Sequence, residues 1–305
     1  MLAEAIAHAY GLTVTAVTPM PGGYAARSFE VHSPDGRYVA KVWRGDPPGD
    51  AWVRLCDALH VLGVPTTLRT REGEPILDGP SGPMCLQPYV PGATPPDWPR
   101  WPPRVLRSLG AFLAAVHATS PPAGLPRDDL SITAPHVDTE FAPAIAVQLA
   151  RLERLREAVD PADLSPEAMV LCHTDPGGDN ILVGPDGRLT LLDWDEAAIS
   201  LPETDFVLLA RDQPPSGEPL RHVLQGYRRD LQRDLRLDRL AFLMLRRYLG
   251  DALARVGRLL DPASTDDECR DARQGITEWG IRQWDRLDDA LDSAARSVAV
   301  SNYLT

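Results

Sequence analysis

The stretch of sequence that decides the fold is Leu171–Asp195, which reads LCHTDPGGDNILVGPDGRLTLLDWD. Its middle contains two short β-rich runs, Ile181–Val183 and Arg188–Leu192, which flank a Gly-Pro-Asp-Gly turn. Glycine, proline and aspartate each favour tight turns, so this pattern predicts a β-hairpin. Antiparallel pairing across a four-residue turn is expected to place Val183 opposite Arg188.

The open end of the predicted hairpin collects polar side chains. In the predicted register Asn180 lies near Leu191, so Asn180 and Asp193 leave the hairpin at the same end. Asp175 lies five residues before Asn180, on a Pro-Gly-Gly loop that can curl back toward them. Two carboxylates and an amide oxygen are hard ligands of the kind that Mg²⁺ takes, and without a cation the carboxylates would repel each other. The pattern predicts a site for a cation or a substrate proton; the alternative is a solvated loop.

Further from the hairpin, the most informative residue is Lys41. The chain has one lysine beside 30 arginines, and Asn180 is one of only two asparagines. If codon bias replaces lysine by arginine, a lysine is expected to remain only where its compact ammonium has a function that the planar guanidinium of arginine cannot perform. In the predicted strand Arg37–Trp43, Val39 and Lys41 share a face, which suits a cleft where Val39 covers a flat ring and Lys41 reaches a phosphate. The alternative is chance survival of one lysine.

The sequence before residue 90 is predicted to be rich in strands. The predicted strands are Leu12–Thr18, Ser28–His32, Arg37–Trp43, Thr66–Arg69 and Met84–Leu86. One helix is predicted over Asp50–Leu62, where apolar residues recur at helical spacing and Gly63 and Pro65 follow. The pair Gly22 and Gly23 offers backbone N–H groups that can cover phosphates; the alternative is a plain turn.

The sequence after residue 90 is predicted to be mainly helical. The proline-rich segment Gln87–Pro103 is predicted to be a linker. Helical periodicity then runs through Val105–His117, Phe141–Val159 and most of Leu220–Val298. The hairpin is the single β-rich interruption that the pattern predicts in this half.

Composition excludes several classes of protein. The 305 residues include 31 basic and 43 acidic side chains, and the net charge of −12 disfavours a surface for nucleic acid or anionic membranes. No apolar run reaches the ~20 residues that span a bilayer, and Met1–Leu12 lacks the basic region of a secretory signal. The four cysteines have no metal-binding spacing and are expected to be reduced thiols. These features predict a cytoplasmic protein that binds neither nucleic acid nor membranes.

Taken in order, these elements resemble the aminoglycoside phosphotransferase and choline kinase family, whose fold is protein-kinase-like. The family has an HxDxxxxN loop, a hairpin with an aspartate after it, and a strand lysine far upstream. The matching residues here are His173, Asp175, Asn180, Asp193 and Lys41. The resemblance extends over about residues 12–205, and the tail Asp193-Trp194-Asp195-Glu196 is most similar to spectinomycin-type antibiotic kinases.

The resemblance implies a fold and a division of the chain. The fold is expected to be α+β and bilobal, like that of protein kinases. Residues 1–90 are expected to form a small nucleotide-binding lobe with an antiparallel sheet and one helix. Residues 91–305 are expected to form a larger, mainly helical lobe that contains the catalytic loop and the acceptor site, with a hinge at about residues 87–92.

The resemblance also implies roles for single residues. Asp175 is expected to accept or orient the substrate hydroxyl proton, while Asn180 and Asp193 hold Mg²⁺ on the phosphates of ATP. The expected nucleotide contacts come from Lys41 on the α/β-phosphates, Val39, Gly22, Gly23, Gln87, Pro88 C=O and Val90 N–H. His173 is expected to brace the loop, Asp205 to be structural, and Asp195 to be a further metal ligand or a loop brace.

The sequence departs from the family pattern near the strand lysine. The family places a glutamate on the following helix to pair with that lysine, and this chain has Trp52 there. Asp50 or Asp57 is the alternative partner, although an aspartate has a shorter arm. Ala26 replaces an asparagine that the family often has in the phosphate-covering turn.

The activity that the resemblance implies is transfer of the γ-phosphate of ATP to a hydroxyl of a small, cationic acceptor, similar to an aminoglycoside or aminocyclitol. Asp205 follows Asp193 by only twelve positions, which leaves no room for the activation segment of a protein kinase. The residues predicted to hold the acceptor, unless they form a solvated helix face, are Asp266, Asp267, Glu268, Asp271, Glu278, Trp279, Trp284 and Asp285. A choline or amino-alcohol kinase, a nucleotide-binding pseudokinase without turnover and a structural partner protein remain alternatives; the sequence makes no prediction of oligomeric state.

Overall fold

The computed structural model describes residues 1–21, 26–132, 139–212, 214–231 and 234–301. An antiparallel five-stranded sheet occupies the first part of the chain and helices make up most of the rest, which confirms the predicted α+β class. The chain forms two compact units. The first comprises residues 1–94, 121–125 and 180–196, and the second comprises residues 95–120, 126–179 and 197–305. The lobe boundary between residues 90 and 91 stays a prediction.

The elements are numbered here in chain order. The strands are β1 Ala16–Pro19, β2 Ala26–Ser33, β3 Gly36–Trp43, β4 Leu77–Gly79, β5 Gly82–Pro88, β6 Val170–Cys172, β7 Ile181–Val183, β8 Leu189–Leu191 and β9 Ala198–Ser200. The helices are α1 Leu2–Tyr10, α2 Asp50–Leu59, α3 Pro103–Ala118, α4 Ala142–Ala158, α5 Val207–Arg211, α6 Glu218–Leu231, α7 Leu237–Leu260, α8 Asp266–Gly275, α9 Arg282–Asp285 and α10 Leu287–Ser301. Across the described residues, every helix is too short or too polar to span a bilayer.

The two faces of the five-stranded sheet have different roles. The strand order is β1-β2-β3-β5-β4. Because side chains alternate along a strand, Ala40 and Val42 of β3 enter a fully buried cluster with Ile6 of α1. The opposite face of β3 carries Val39 and Lys41, as the alternation in the sequence predicts. One face of β3 therefore packs in the hydrophobic core, and Lys41 lies on the face that does not.

Two predictions about short strands are wrong. The run Thr66–Arg69 forms no strand: Leu68 N donates one backbone hydrogen bond to Leu86 O at 2.7 Å, and a single bond does not make a ladder. Conversely, β6 pairs with β9 in a two-stranded sheet that the sequence does not predict. Each of these strands has three residues, too few for a period-two pattern to be visible.

The predicted hairpin is present as β7 and β8, but its predicted register is wrong by one residue. Val183 pairs with Leu189 and not with Arg188. Gly187, at φ 79°, adds a left-handed residue after the turn, and such a residue shifts the pairing by one position. Leu192 N donates to Asn180 O at 2.8 Å, so Asn180 and Asp193 still leave the hairpin at its open end.

Close packing of α3 against α6 organises the second unit. A side chain at Gly110 of α3 would overlap Val223 O of α6, and one at Gly226 of α6 would overlap Arg107 O of α3. Both glycines lie in helices, where glycine is otherwise unfavourable. The backbones approach each other so closely that only glycine fits at these positions.

We expect Gly110→Ala to destabilise the protein. The added methyl group meets backbone atoms that cannot rotate away, and overpacking of this kind costs about 1–3 kcal/mol or more. For a protein of this size the midpoint of thermal unfolding should fall by roughly 3–10 °C, measured by circular dichroism. The control is Gly250→Ala in α7, where a methyl group meets no atom within 4 Å; it should leave the midpoint unchanged or raise it. Equal midpoints for the two variants would contradict the packing argument.

Candidate active site

The ammonium of Lys41 lies between two carboxylates of the first unit. Its Nζ atom is 2.6 Å from Asp193 Oδ1 and 2.7 Å from Asp195 Oδ1. The side chains of Lys41 and Asp195 are 13% and 16% exposed, whereas that of Asp193 is 51% exposed. The single lysine of the chain is thus joined to the segment that follows the hairpin.

Among the described residues, Asp50 and Asp57, the alternative partners of Lys41 on α2, form no ion pair with it. Asp57 of α2 pairs instead with Arg69, at 3.7 Å. Trp52, at the position where the family pattern has glutamate, is buried and packs edge-on against Trp43 with ring centroids 5.7 Å apart. An apolar ring in this position leaves the segment after the hairpin to provide the carboxylates.

The charge of Lys41 is set by two opposing effects. Burial acts to lower the pKa of Lys41, but the carboxylates of Asp195 and Asp193 outweigh it, so the pKa lies above its ordinary value. On the neighbouring strand, burial raises the pKa of the Cys85 thiol to about 12. At neutral pH the site therefore presents a charged ammonium beside an unreactive thiol.

Asp193 has an unusual backbone as well as an exposed carboxylate. Its φ angle is 62°, in the left-handed region that residues other than glycine seldom adopt. Strained residues of this kind cluster at functional sites. Asn180, half-buried in a short 3₁₀ turn before β7, lies at the same end of the hairpin. Amide and carboxylate oxygens are ligands that Mg²⁺ takes, and a metal site shared by Asn180 and Asp193 stays a prediction.

Asp175 belongs to the second unit, where its loop is braced by a buried carboxylate. Asp205 accepts hydrogen bonds from His173 N at 3.0 Å and from Thr174 N at 2.7 Å. Asp205 Oδ2, which accepts from His173 N, also contacts His117 Nε2 at 3.1 Å. Thr174 has φ 72°, so the two bonds hold a strained turn directly before Asp175.

A cation from α7 lies beside Asp175. Arg247 Nη2 is 3.5 Å from Asp175 Oδ1, and Arg247 Nη1 donates to Thr174 O at 3.3 Å. The same guanidinium contacts Asp251 at 3.2 Å. The sequence analysis missed Arg247, because 73 residues separate it from Thr174 and it is one arginine among 30.

Three buried groups behind the loop contact neighbouring protein groups. His117, Cys172 and Asp205 have possible ligand atoms within 4.8 Å of one another. However, burial raises the pKa of Cys172 well above its ordinary value, and its thiol contacts Leu201 O at 3.4 Å. His117 contacts Tyr227 through Nδ1 at 2.8 Å. Asp205, at the centre of these groups, braces the loop before Asp175.

The end of β5 presents backbone groups at an open edge. Leu86 C=O accepts from Leu68 N and is therefore directed away from β3. Successive strand residues direct their backbone groups to opposite edges, so Pro88 C=O lies on the same edge as Leu86 C=O. Tyr89, directly after β5, donates its N–H to Arg37 O at 3.0 Å, toward β3. The contacts of adenine with Pro88 C=O and Val90 N–H stay predictions.

The other residues predicted to contact the nucleotide are Val39, Gln87, Gly22 and Gly23. Val39 and Gln87 pair across β3 and β5, and Gln87 Nε2 donates to Pro65 O at 3.2 Å. This bond fixes the Gln87 side chain at the end of the sheet. Gly22 and Gly23 lie outside the described residues.

The residues predicted to hold the acceptor are not equally available. Trp284 is 2% exposed and is therefore a core residue, so its predicted contact with an acceptor is wrong. Glu268 caps α8 through Thr265, and Asp267 pairs with Arg270, as expected for a solvated helix face. Trp279 is 41% exposed, in a π-helical turn, with the Arg211 guanidinium 5.1 Å from its ring.

Comparisons with known proteins identify a family that this chain matches. The model of the phosphotransferase enzyme family matches residues 16–237. The comparison with curated proteins finds no significant match.

Solved structures show a similar fold. A spectinomycin phosphotransferase in complex with ADP and spectinomycin is 17% identical, with 96% of this chain and 97% of that chain covered and a TM-score of 0.75. A choline kinase from Streptococcus pneumoniae is 16% identical, with 95% and 97% covered and a TM-score of 0.63. A macrolide 2′-phosphotransferase from Brachybacterium faecium is 19% identical, with 91% and 96% covered and a TM-score of 0.56. These likenesses confirm the predicted kinase-like fold.

Proposed function

Because this chain belongs to the phosphotransferase enzyme family, we propose that it transfers the γ-phosphoryl group of ATP to a hydroxyl of a small, cationic acceptor similar to an aminoglycoside or aminocyclitol. The observation that carries the proposal is the 2.6 Å contact between Lys41, the only lysine, and Asp193, the acid after the hairpin. A lone ammonium held beside a half-exposed carboxylate is suited to bind the phosphates of a nucleotide. The ligands of the spectinomycin phosphotransferase support both the nucleotide and the acceptor class.

In the proposed reaction the acceptor oxygen forms a bond to the γ-phosphorus, and the bond from that phosphorus to the β,γ-bridging oxygen breaks. ADP leaves with the electron pair of the broken bond. The hydroxyl proton passes to a carboxylate oxygen of Asp175. Asp205 holds the backbone of the two residues before Asp175, which keeps this carboxylate in a fixed place.

The nucleotide is held by groups of the first unit. Lys41 neutralises charge on the α- and β-phosphates, and adenine binds the outer edge of β5 at Pro88 C=O and Val90 N–H. Val39 covers the ring on the same face of the sheet as Lys41. Asn180 and Asp193 would hold Mg²⁺, which when bound neutralises phosphate charge.

Turnover with a panel of acceptors tests this function. ADP release is measured with Mg²⁺ and ATP in the presence of aminoglycosides, aminocyclitols, choline and aminopropanol. The proposal expects release that depends on a hydroxylated amine and is largest with an aminoglycoside or aminocyclitol. A preference for choline or aminopropanol would overturn the acceptor class and leave the phosphotransferase reaction intact. ADP binding without turnover of any acceptor would favour the pseudokinase.

A further inference from the structure

Asp195 is held in a different way from Asp193. Its Oδ1 atom contacts Lys41 Nζ at 2.7 Å, and its Oδ2 atom accepts a hydrogen bond from Trp43 Nε1 at 2.8 Å. Both oxygens are therefore engaged, and the side chain is 16% exposed. Lys41 and Trp43 lie two residues apart on the same face of β3, so one rigid strand fixes both contacts.

The surroundings of Trp43 explain why the carboxylate stays in place. The ring is 3% exposed and packs edge-on against Trp52 of α2. Without Asp195 the buried indole N–H would lose its acceptor, and a buried donor left unpaired is destabilising. The tryptophan pair therefore orients the carboxylate of Asp195 that contacts Lys41.

The two carboxylates that contact Lys41 differ in what else they can do. Asp193 is half-exposed and lies at the open end of the hairpin, where it is available to a nucleotide or a metal ion. Asp195 is enclosed, with one oxygen against Lys41 Nζ and the other accepting from Trp43 Nε1. A lysine that binds phosphate needs a partner that remains when the ligand arrives, and only Asp195 of these two meets that need.

We infer that Asp195 is the positioning residue for Lys41, in the role that the family pattern gives to a glutamate on the following helix. The substitution of that glutamate by Trp52 is then compensated within the same site: Trp52 packs on Trp43, Trp43 orients Asp195, and Asp195 holds the ammonium. This inference rests on the proposed function, in which Lys41 binds the phosphates of ATP.

The variant Asp195→Asn tests the inference. Asparagine keeps an oxygen that accepts from Trp43 Nε1 and places an NH2 donor where the other oxygen contacts Lys41, so the charge and the acceptor that hold the ammonium are both removed. We expect kcat/KM for ATP to fall by about 10- to 100-fold, because the lysine loses its fixed orientation. Asp195→Glu, which restores the charge, should recover part of this loss. The matched control is Asp78→Asn on the exposed side of β4, which should keep kcat/KM for ATP within about twofold.

A second measurement reports on the ion pair without any activity. Because the chain has one lysine, protein labelled with [¹³Cε]lysine gives one lysine signal in a carbon NMR spectrum. In the nucleotide-free protein this signal should shift in Asp195→Asn and stay in place in Asp78→Asn. Trp43→Phe, which removes the donor that orients Asp195, should also shift it and serves if Asp195→Asn does not fold.

The outcomes separate this inference from the proposed function. An unshifted lysine signal in Asp195→Asn overturns the inference, whatever the activity of the wild type. A shifted signal with kcat/KM for ATP equal to that of the wild type also overturns it, because the pair would then not position the lysine for phosphate. If the wild type turns over no acceptor while its lysine signal still depends on Asp195, the pair stands and the proposed function fails.

Discussion

Asp175→Asn is expected to lower kcat by about 10²- to 10⁴-fold while the dissociation constant for ADP changes by less than about twofold. The amide has the shape of the carboxylate and takes up no proton from the acceptor hydroxyl. Asp175 belongs to the second unit, whereas the predicted nucleotide contacts belong to the first. The substitution should therefore lower the rate of phosphoryl transfer without weakening nucleotide binding. Single-turnover kinetics and calorimetric titration with ADP measure the two effects.

The control for this variant is Asp179→Asn. Asp179 is an exposed residue four positions further along the same loop, so the same charge is removed without the proposed base. Its kcat should stay within about threefold of the wild type. If Asp175→Asn kept wild-type turnover, Asp175 would not be the proton acceptor; if it lost ADP binding as well, the residue would serve the fold of the site.

The second large effect is expected for Lys41→Arg, with kcat/KM for ATP lowered by about 10²-fold. Arginine keeps the positive charge, but its planar fork is wider than an ammonium and does not fit between the carboxylates of Asp193 and Asp195. Those carboxylates lie 2.6 and 2.7 Å from Lys41 Nζ. The larger group must displace at least one of them or leave the phosphate position. Initial rates at varied ATP concentration measure the loss.

Arg188→Lys is the reverse exchange at an exposed position of the hairpin turn. We expect its kcat/KM for ATP to match that of the wild type, because Arg188 lies in no predicted contact with substrate. Wild-type activity in Lys41→Arg would mean that the single lysine is incidental and would remove the observation that carries the proposed function.

Local patterns predicted the elements of the site well. The hairpin, the strand with Lys41 on one face and the helical second half all follow from periodicities and turn residues a few positions apart. These local rules failed where a strand was too short to show a periodicity, or where the backbone conformation of a single residue set the register. The strands β6 and β9 have three residues each, and the left-handed Gly187 shifted the hairpin register by one position.

The sequence by itself determined the family, the α+β class and the candidate phosphate-binding lysine, because these depend on residue types and spacings along the chain. Only the tertiary structure decided which carboxylates hold that lysine. Lys41 and Asp193 are 152 residues apart, as are Trp43 and Asp195. No spacing rule reaches over such a distance. The physical reason is that a buried ammonium pairs with the carboxylate that tertiary packing places next to it. Here Trp43, packed against Trp52, donates to Asp195 and orients that carboxylate toward Lys41.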